Sequence, residues 1–344
     1  MPEAKTKVRS YILRFIFALT AIALISPVKA TDQKDNNFDF AFTHDNDAFS
    51  LFPSDRYYTN GLKFSWSARK INSAPDWLES LAYALPFFPK TDLTRHAYTV
   101  GQSMFTPDGI QQAQRLTNQR PYAGWLYGTF DFATAKDQQV DVFSLTLGIV
   151  GPASMAEDVQ KISHSLIGSP EPMGWEHQLD NELGFNLAYL RSWRAIQTWH
   201  FGRKHIDFTP HLNGALGNIY TFTGAGVTFR YGENLPNDYG VPKLQLGLPT
   251  ANFTVNRPVN DFNWYLFSST EIRYVVRNLF LDGNSFEGDR ISINKEPFVA
   301  DLQLGVVFDW THFSLVYTQI IQTKEFDTQD DFHTLGSISL SLKY

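Results

Sequence analysis

The chain has 344 residues, a formal charge of −6, 15% Phe, Tyr and Trp, and no cysteine. The missing cysteines exclude disulfide staples, thiolate metal sites and a cysteine nucleophile. The acidic balance argues against nucleic acid as a partner, because binding phosphate calls for a basic face.

In chain order, residues 1–30 read as a secretory signal: Lys5, Lys7, Arg9 and Arg14 precede the apolar run FIFALTAIALI, and VKA closes on a small residue at Ala30. Removing the five basic and one acidic residues of that segment leaves 24 basic and 34 acidic residues, a formal charge of −10, in the expected domain 31–344. The apolar run is shorter than the roughly 20 residues of a spanning helix, and no later segment reaches that length without charges.

From residue 37 onward, segments of about ten residues alternate with period two between turn residues. They cover 38–45, 59–69, 97–105, 123–135, 139–150, 182–193, 206–217, 220–232, 264–278, 299–311, 313–325 and 334–344, twelve in all. Their connections look alternately short, as in DWTHFS (309–314), and long, as in the polar stretch 248–263. The pattern predicts an all-β fold: a 12-stranded antiparallel transmembrane β-barrel of the bacterial outer membrane. An exported soluble sandwich alternates too, but a barrel leaves no open edge. GSISLSLKY also ends the chain as the terminal strand of an inserted barrel would, with Ile338, Leu340 and Leu342 on one face.

One segment breaks the alternation. MAEDVQKISHSLIG (155–168) sets Val159, Ile162, Leu166 and Ile167 near helical spacing and closes on Gly168, predicting a short helix in the long connection before the sixth strand.

Several stretches could carry chemistry. HDNDAF (44–49) is rich in hard oxygen donors suited to Ca²⁺, with Asp47 offering a carboxylate; Asp and Asn are equally common in a plain strand-end turn. His164 lies on the helix, before the Gly/Pro-rich GSPEPMGWEHQL; it reads as a general base or as an ordinary packing residue. No G-x-S-x-G elbow is present, although a Ser/His pair is defined by geometry rather than spacing. Arg115 and Arg120 could meet lipid phosphates or simply be exposed, and Tyr122, Trp125 and Tyr127 fit an interfacial girdle as well as a substrate contact.

HDNDAF, DRYYTNG, QSMFTP, RPYAGW, GIVGP, VQKISHSLIG and GWEHQLDNE, in this order over essentially the whole domain, resemble the outer-membrane lipid A 3′-O-deacylase family (the LpxR type). That resemblance implies a calcium-dependent esterase in a 12-stranded barrel, acting on lipid A of lipopolysaccharide among outer-membrane lipids, with a monomer as the expected state. It places the family's asparagine–aspartate pair on Asn46 and Asp47, its strand-two hydroxyl on Thr59 and its histidine on His164, with Asp47 near the metal. By this likeness His164 takes a proton from water and Ca²⁺ stabilises the oxyanion. The family pattern has an acidic residue six positions after the histidine; here that position is Pro170, and Glu171 beside it is the candidate. The family's basic residue after the TP step is also absent from most of DGIQQAQR, where Arg115 comes last. The competing readings are a non-enzymatic porin and a Ser/His outer-membrane phospholipase. Asp45 and Asp55 have no assigned role.

Overall fold

The structure is a computed structural model that describes residues 38–52, 57–91, 93–236, 262–286 and 291–343. The expected signal segment 1–30, Asp55 and most of the stretch 248–263 lie outside the described residues.

The strands are β1 (Phe38–Asn46), β2 (Tyr57–Ala68), β3 (Thr94–Thr106), β4 (Ala123–Lys136), β5 (Gln139–Val150), β6 (Glu182–Trp193), β7 (Gln197–Phe201), β8 (Lys204–Gly217), β9 (Tyr220–Gly232), β10 (Phe262–Asn278), β11 (Phe298–Trp310), β12 (Phe313–Gln322) and β13 (His333–Leu342). β1 pairs with β13, and β6 with β8, so the antiparallel wall closes on itself. β7 takes over the edge of β8 where β6 stops, pairing Gln197 with Phe208 through Phe201 with Lys204. Twelve strands therefore form the wall, as expected, and a short thirteenth prolongs one seam.

Polarity inside and outside decides between barrel and sandwich. The inward face carries buried polar pairs beside an aromatic cluster: Asp45 meets Lys63 at 2.8 Å, Tyr58 at 3.1 Å and Ser337 at 2.7 Å. Further round, Arg230 meets Asp207 at 2.6 Å and Glu271 meets His211 at 3.0 Å. The alternate residues, among them Phe40, Phe64, Val100, Leu147, Phe185 and Leu266, are apolar and exposed. A soluble core would have the opposite order, whereas lipid demands this one.

The lumen is filled. Helix α3 (Leu279–Asp282) follows β10 and inserts Phe280, which stacks on Phe105 at 4.1 Å and approaches Tyr220 and Trp125 at 5.7 and 6.0 Å. A cavity of about 80 Å³ beside this plug is lined by Tyr58, Arg273, Gln303, Glu325 and His333 among others.

Two longer helices lie outside the wall. The expected helix is present as α2 (Ala156–Ile167), and α1 (Asp76–Tyr83), between β2 and β3, is an addition that the sequence reading did not contain. The expected alternation of connection lengths holds only in part. The end that carries both termini has two-residue turns at 137–138 and 311–312 but also the long segment 69–93, while the far end has a two-residue turn at 218–219. Segment 69–93 is long because it holds α1, which packs back on the wall.

Candidate active site

At the far end, β1 leaves the wall at Asn46. The Asn46 side-chain oxygen accepts from Ala48 N at 2.8 Å and caps a 3₁₀ turn, Asp47–Phe49. This turn folds onto the outer face of β12 and β13: Tyr317 donates its hydroxyl to the Phe49 carbonyl at 3.1 Å, and Gln319 Oε1 accepts from Leu51 N at 2.8 Å. Gly336 permits the contact, since a Cβ there would lie 2.3 Å from the Phe49 carbonyl carbon. Asp47 is thereby buried, 3% exposed. Period two puts Asn46 and His44 on the lipid-side face with Phe40 and Phe42, while Asp45 faces the lumen and serves its ion pair there.

On β2, Asn60 lies opposite Asn46, and a bulge between Tyr58 and Asn60 inserts Thr59 as an extra residue. Thr59 Oγ1 is 2.6 Å from Thr106 Oγ1 of β3. Tyr57, just before it, has φ of 74°, costly for a bulky side chain, and is fully buried against Phe326 and His333. The packing holds this strand end in place.

Helix α2 docks on the same outer face, over β3 and β4. Gly124 makes the approach possible: a Cβ there would fall 2.1 Å from Ser154 Oγ and 2.3 Å from Ala156 Cβ. Gln102 donates to the Ser154 carbonyl at 2.7 Å, and Met104, Ile110, Tyr122, Ala156 and Trp175 form the apolar contact. Gly168, with φ of 68°, ends the helix as expected. Its buried side is Ala156, Gln160 and His164, whereas Ile162 and Leu166 are 61% and 67% exposed. Of the apolar residues that suggested the helix, Val159 packs half-buried against the apolar contact, while Ile162 and Leu166 point away from the wall towards lipid; the Ile167 side chain lies outside the described residues.

His164 Nδ1 is 2.6 Å from the Pro170 carbonyl. A carbonyl only accepts, so Nδ1 carries the hydrogen and Nε2 of the neutral ring keeps its lone pair. Nε2 has no hydrogen-bond partner among the described residues. Glu171, offered for the family's acidic position, is exposed; its carboxylate acts at longer range on Lys161, whose ammonium is held above its ordinary range first by its hydrogen bond to Glu157. The contact to His164 comes from the backbone before Glu171.

Asn46, Asp47 and Thr59 are thus neighbours at the rim. His164 stands on the same face one strand further on, linked through the pairing of Asn60 with Met104 and the Met104 contact beneath α2. Gln160 Nε2 is buried here without completing a hydrogen bond, whereas the His44 ring and the Asn60 side chain meet each other. Gln160 is oriented by Trp175, which donates to its oxygen at 2.7 Å and leaves the amide nitrogen as a donor. The sequence reading missed Asn60 and Gln160, although Asn60 sits inside YYTNG and Gln160 falls one helical turn before His164, spacings that could have flagged both.

Among the described residues no group of three or more His, Asp or Glu is placed to hold a metal. The donors at the rim are instead the Asp47 carboxylate with amide and hydroxyl oxygens of Asn46, Asn60 and Thr59, of which the Asn46 oxygen also caps Ala48 N and the Thr59 hydroxyl also meets Thr106. An all-oxygen set of this kind fits a hard cation such as calcium, which takes roughly six to eight oxygens including carbonyls and water.

Other candidates go elsewhere. Arg120 is buried, paired with Glu325 at 3.2 Å over the Phe105 ring, and Trp125 and Tyr127 stack at 4.3 Å in the lumen. Tyr122 packs on Trp175 beneath α2. Arg115 is exposed.

No curated protein sequence matches the chain significantly. Among solved structures, LpxR from Salmonella typhimurium aligns with a TM-score of 0.73 at 18% identity, covering 89% of this chain and 100% of that one. The β-domain of the Bordetella autotransporter BrkA reaches only 0.41 at 9% identity, over 89% and 99% of the two chains. The family described as "Outer membrane protein LpxR" matches residues 15–344. With that match over nearly its whole length and a lipid-facing wall to agree with it, the chain belongs to the LpxR family of outer-membrane proteins.

Proposed function

We propose that the protein is a lipid A 3′-O-deacylase, hydrolysing the ester that carries the acyloxyacyl group at the 3′-position, with His164 as general base and calcium as cofactor. The observation that carries this reading is the face on which the site opens. His164, Asn46 and Thr59 lie on the lipid side of the wall, where an acyl ester in the leaflet reaches them without entering the barrel.

The chemistry follows from the residues. Nε2 of His164, left basic by the Nδ1 contact to Pro170, accepts a proton from water as the water oxygen bonds to the ester carbonyl carbon. The tetrahedral adduct then expels the sugar oxygen, which takes the proton back from Nε2. The acyloxyacyl acid and a free 3′-hydroxyl result. Bound by Asp47 with the amide oxygens beside it, calcium would supply positive charge opposite the developing oxyanion. Asn46 shapes the turn that presents Asp47, and Thr59 fixes the β2 end against Thr106.

The plugged lumen argues against a porin, and no serine hydroxyl among the described residues is recorded hydrogen-bonding His164, which argues against a Ser/His phospholipase. The test is expression in a host with intact lipid A, followed by mass spectrometry of the lipid. Loss of the 3′-acyloxyacyl mass, abolished by His164→Ala, by Asp47→Ala and by chelating calcium, is expected. Unchanged deacylation in both variants contradicts the assignment.

A further inference from the structure

Segment 69–93, at the end of the barrel that carries the termini, is far longer than a strand connection needs. Its helix α1 buries Leu78 and Ala82 against Phe132 and Phe143, with Phe88 completing the cluster. Phe130 and Phe132 on β4, and Phe143 and Leu145 on β5, alternate with the lumenal Thr129, Asp131, Ser144 and Thr146. The segment therefore lies on the lipid side of the wall. Phe132 is four residues from the end of β4, which for a rise of about 3.3 Å and a tilt of about 40° sets α1 about 10 Å in from that end.

The segment is pinned rather than loose. Asn72 Oδ1 accepts from Thr94 N at 2.9 Å, Arg95 donates to the Ala68 carbonyl at 2.9 Å, and Arg191 of β6 donates to the Phe87 carbonyl at 3.0 Å. Yet its outer side carries large apolar side chains, with Ile71, Trp77 and Phe87 42%, 47% and 53% exposed, among the exposed polar Asn72, Asp76 and Ser80. Trp77 also continues a row of wall aromatics. Trp66, Tyr98 and Phe130, paired across β2, β3 and β4, sit 6.0 and 5.8 Å apart, and Trp77 meets Phe130 at 5.3 Å. Phe87 meets Tyr189 of β6 at 4.9 Å. Lys70 and Lys90 are exposed beside these rings, with the Lys90 ammonium 5.3 Å from the centre of the Tyr83 ring.

We propose that segment 69–93 is an interfacial strap that lies in the glycerophospholipid leaflet at the terminal end. It continues the aromatic girdle over β4 to β6, with Ile71, Trp77 and Phe87 among the acyl chains and Lys70 and Lys90 at the lipid phosphates. The leaflet is the occupant because the exposed face is continuous with the lipid-facing wall on which the strap rests. A protein partner would have to enter the plane of the membrane to reach it.

The absence of cysteine makes a direct test clean. Single variants Trp77→Cys and Phe87→Cys, with Leu147→Cys on the wall and Arg203→Cys at the exposed β7–β8 turn as references, are spin-labelled in proteoliposomes of phosphatidylethanolamine and phosphatidylglycerol. Labels at 77 and 87 are expected to resemble 147, with strong oxygen collision and a collision rate with a water-soluble nickel chelate several-fold below that at 203. Nickel collision equal to that at 203 overturns the proposal, as does a label shielded from both reagents, which marks a protein contact. The gel shift of the unheated barrel selects folded variants, and Ile71→Cys replaces either position that fails to fold, with the same expectation.

Discussion

Two helices lie against the outside of this barrel, and they do so with opposite chemistry. At the terminal end α1 turns Leu78 and Ala82 to the wall, a purely apolar contact. At the far end α2 turns Ala156, Gln160 and His164 inward and leaves Ile162 and Leu166 outside. A helix docked only for stability buries its apolar side; α2 keeps polar groups in a buried seam at a cost, since an unsatisfied buried amide costs about 1–3 kcal/mol. Gln160 Nε2 is such a group. The difference is what the site proposed on α2 requires and what an attachment such as α1 does not.

Substitutions can break that comparison. His164→Ala should lower deacylation by about 10²–10⁴-fold, the worth of a general base, with the folded gel shift intact. Gly124→Val should come next: it places a side chain where Ser154 and Ala156 now sit, and a displacement of about 1 Å is worth about 10²-fold in rate, read from kcat with the barrel still folded. Leu78→Ala on α1 should do the reverse, costing about 2–5 kcal/mol by urea unfolding while kcat stays unchanged. Glu171→Gln should be smallest, within about threefold of the parent rate, as an exposed carboxylate contributes little. A large effect there would move the histidine's partner from the Pro170 backbone to the Glu171 side chain.

The wall was legible from sequence because period-two alternation needs no tertiary knowledge, and the strands fell where the alternation put them. The existence of α2 was legible from Val159, Ile162 and Leu166 and its end from Gly168, but its orientation was not, because apolar spacing says which residues share a face and not whether that face meets protein or lipid. α1 escaped notice since only Leu78 and Ala82 in eight residues are buried, too few for a period. Asn46, Asp47, Thr59 and His164 are candidates because they fall in ordered motifs that resemble the family. The Pro170 carbonyl was not legible, because a backbone acceptor leaves no mark in side-chain identity. Trp125 and Tyr127 looked like a girdle and proved lumenal, a matter of strand phase.

The most direct test of the central claim uses purified protein in bilayers containing lipid A, with and without calcium, and follows release of the 3′-acyloxyacyl acid by mass spectrometry. Release by the parent chain in calcium, and none above background from folded His164→Ala, is the predicted result; equal release from both would contradict a site built around His164 on the outer wall.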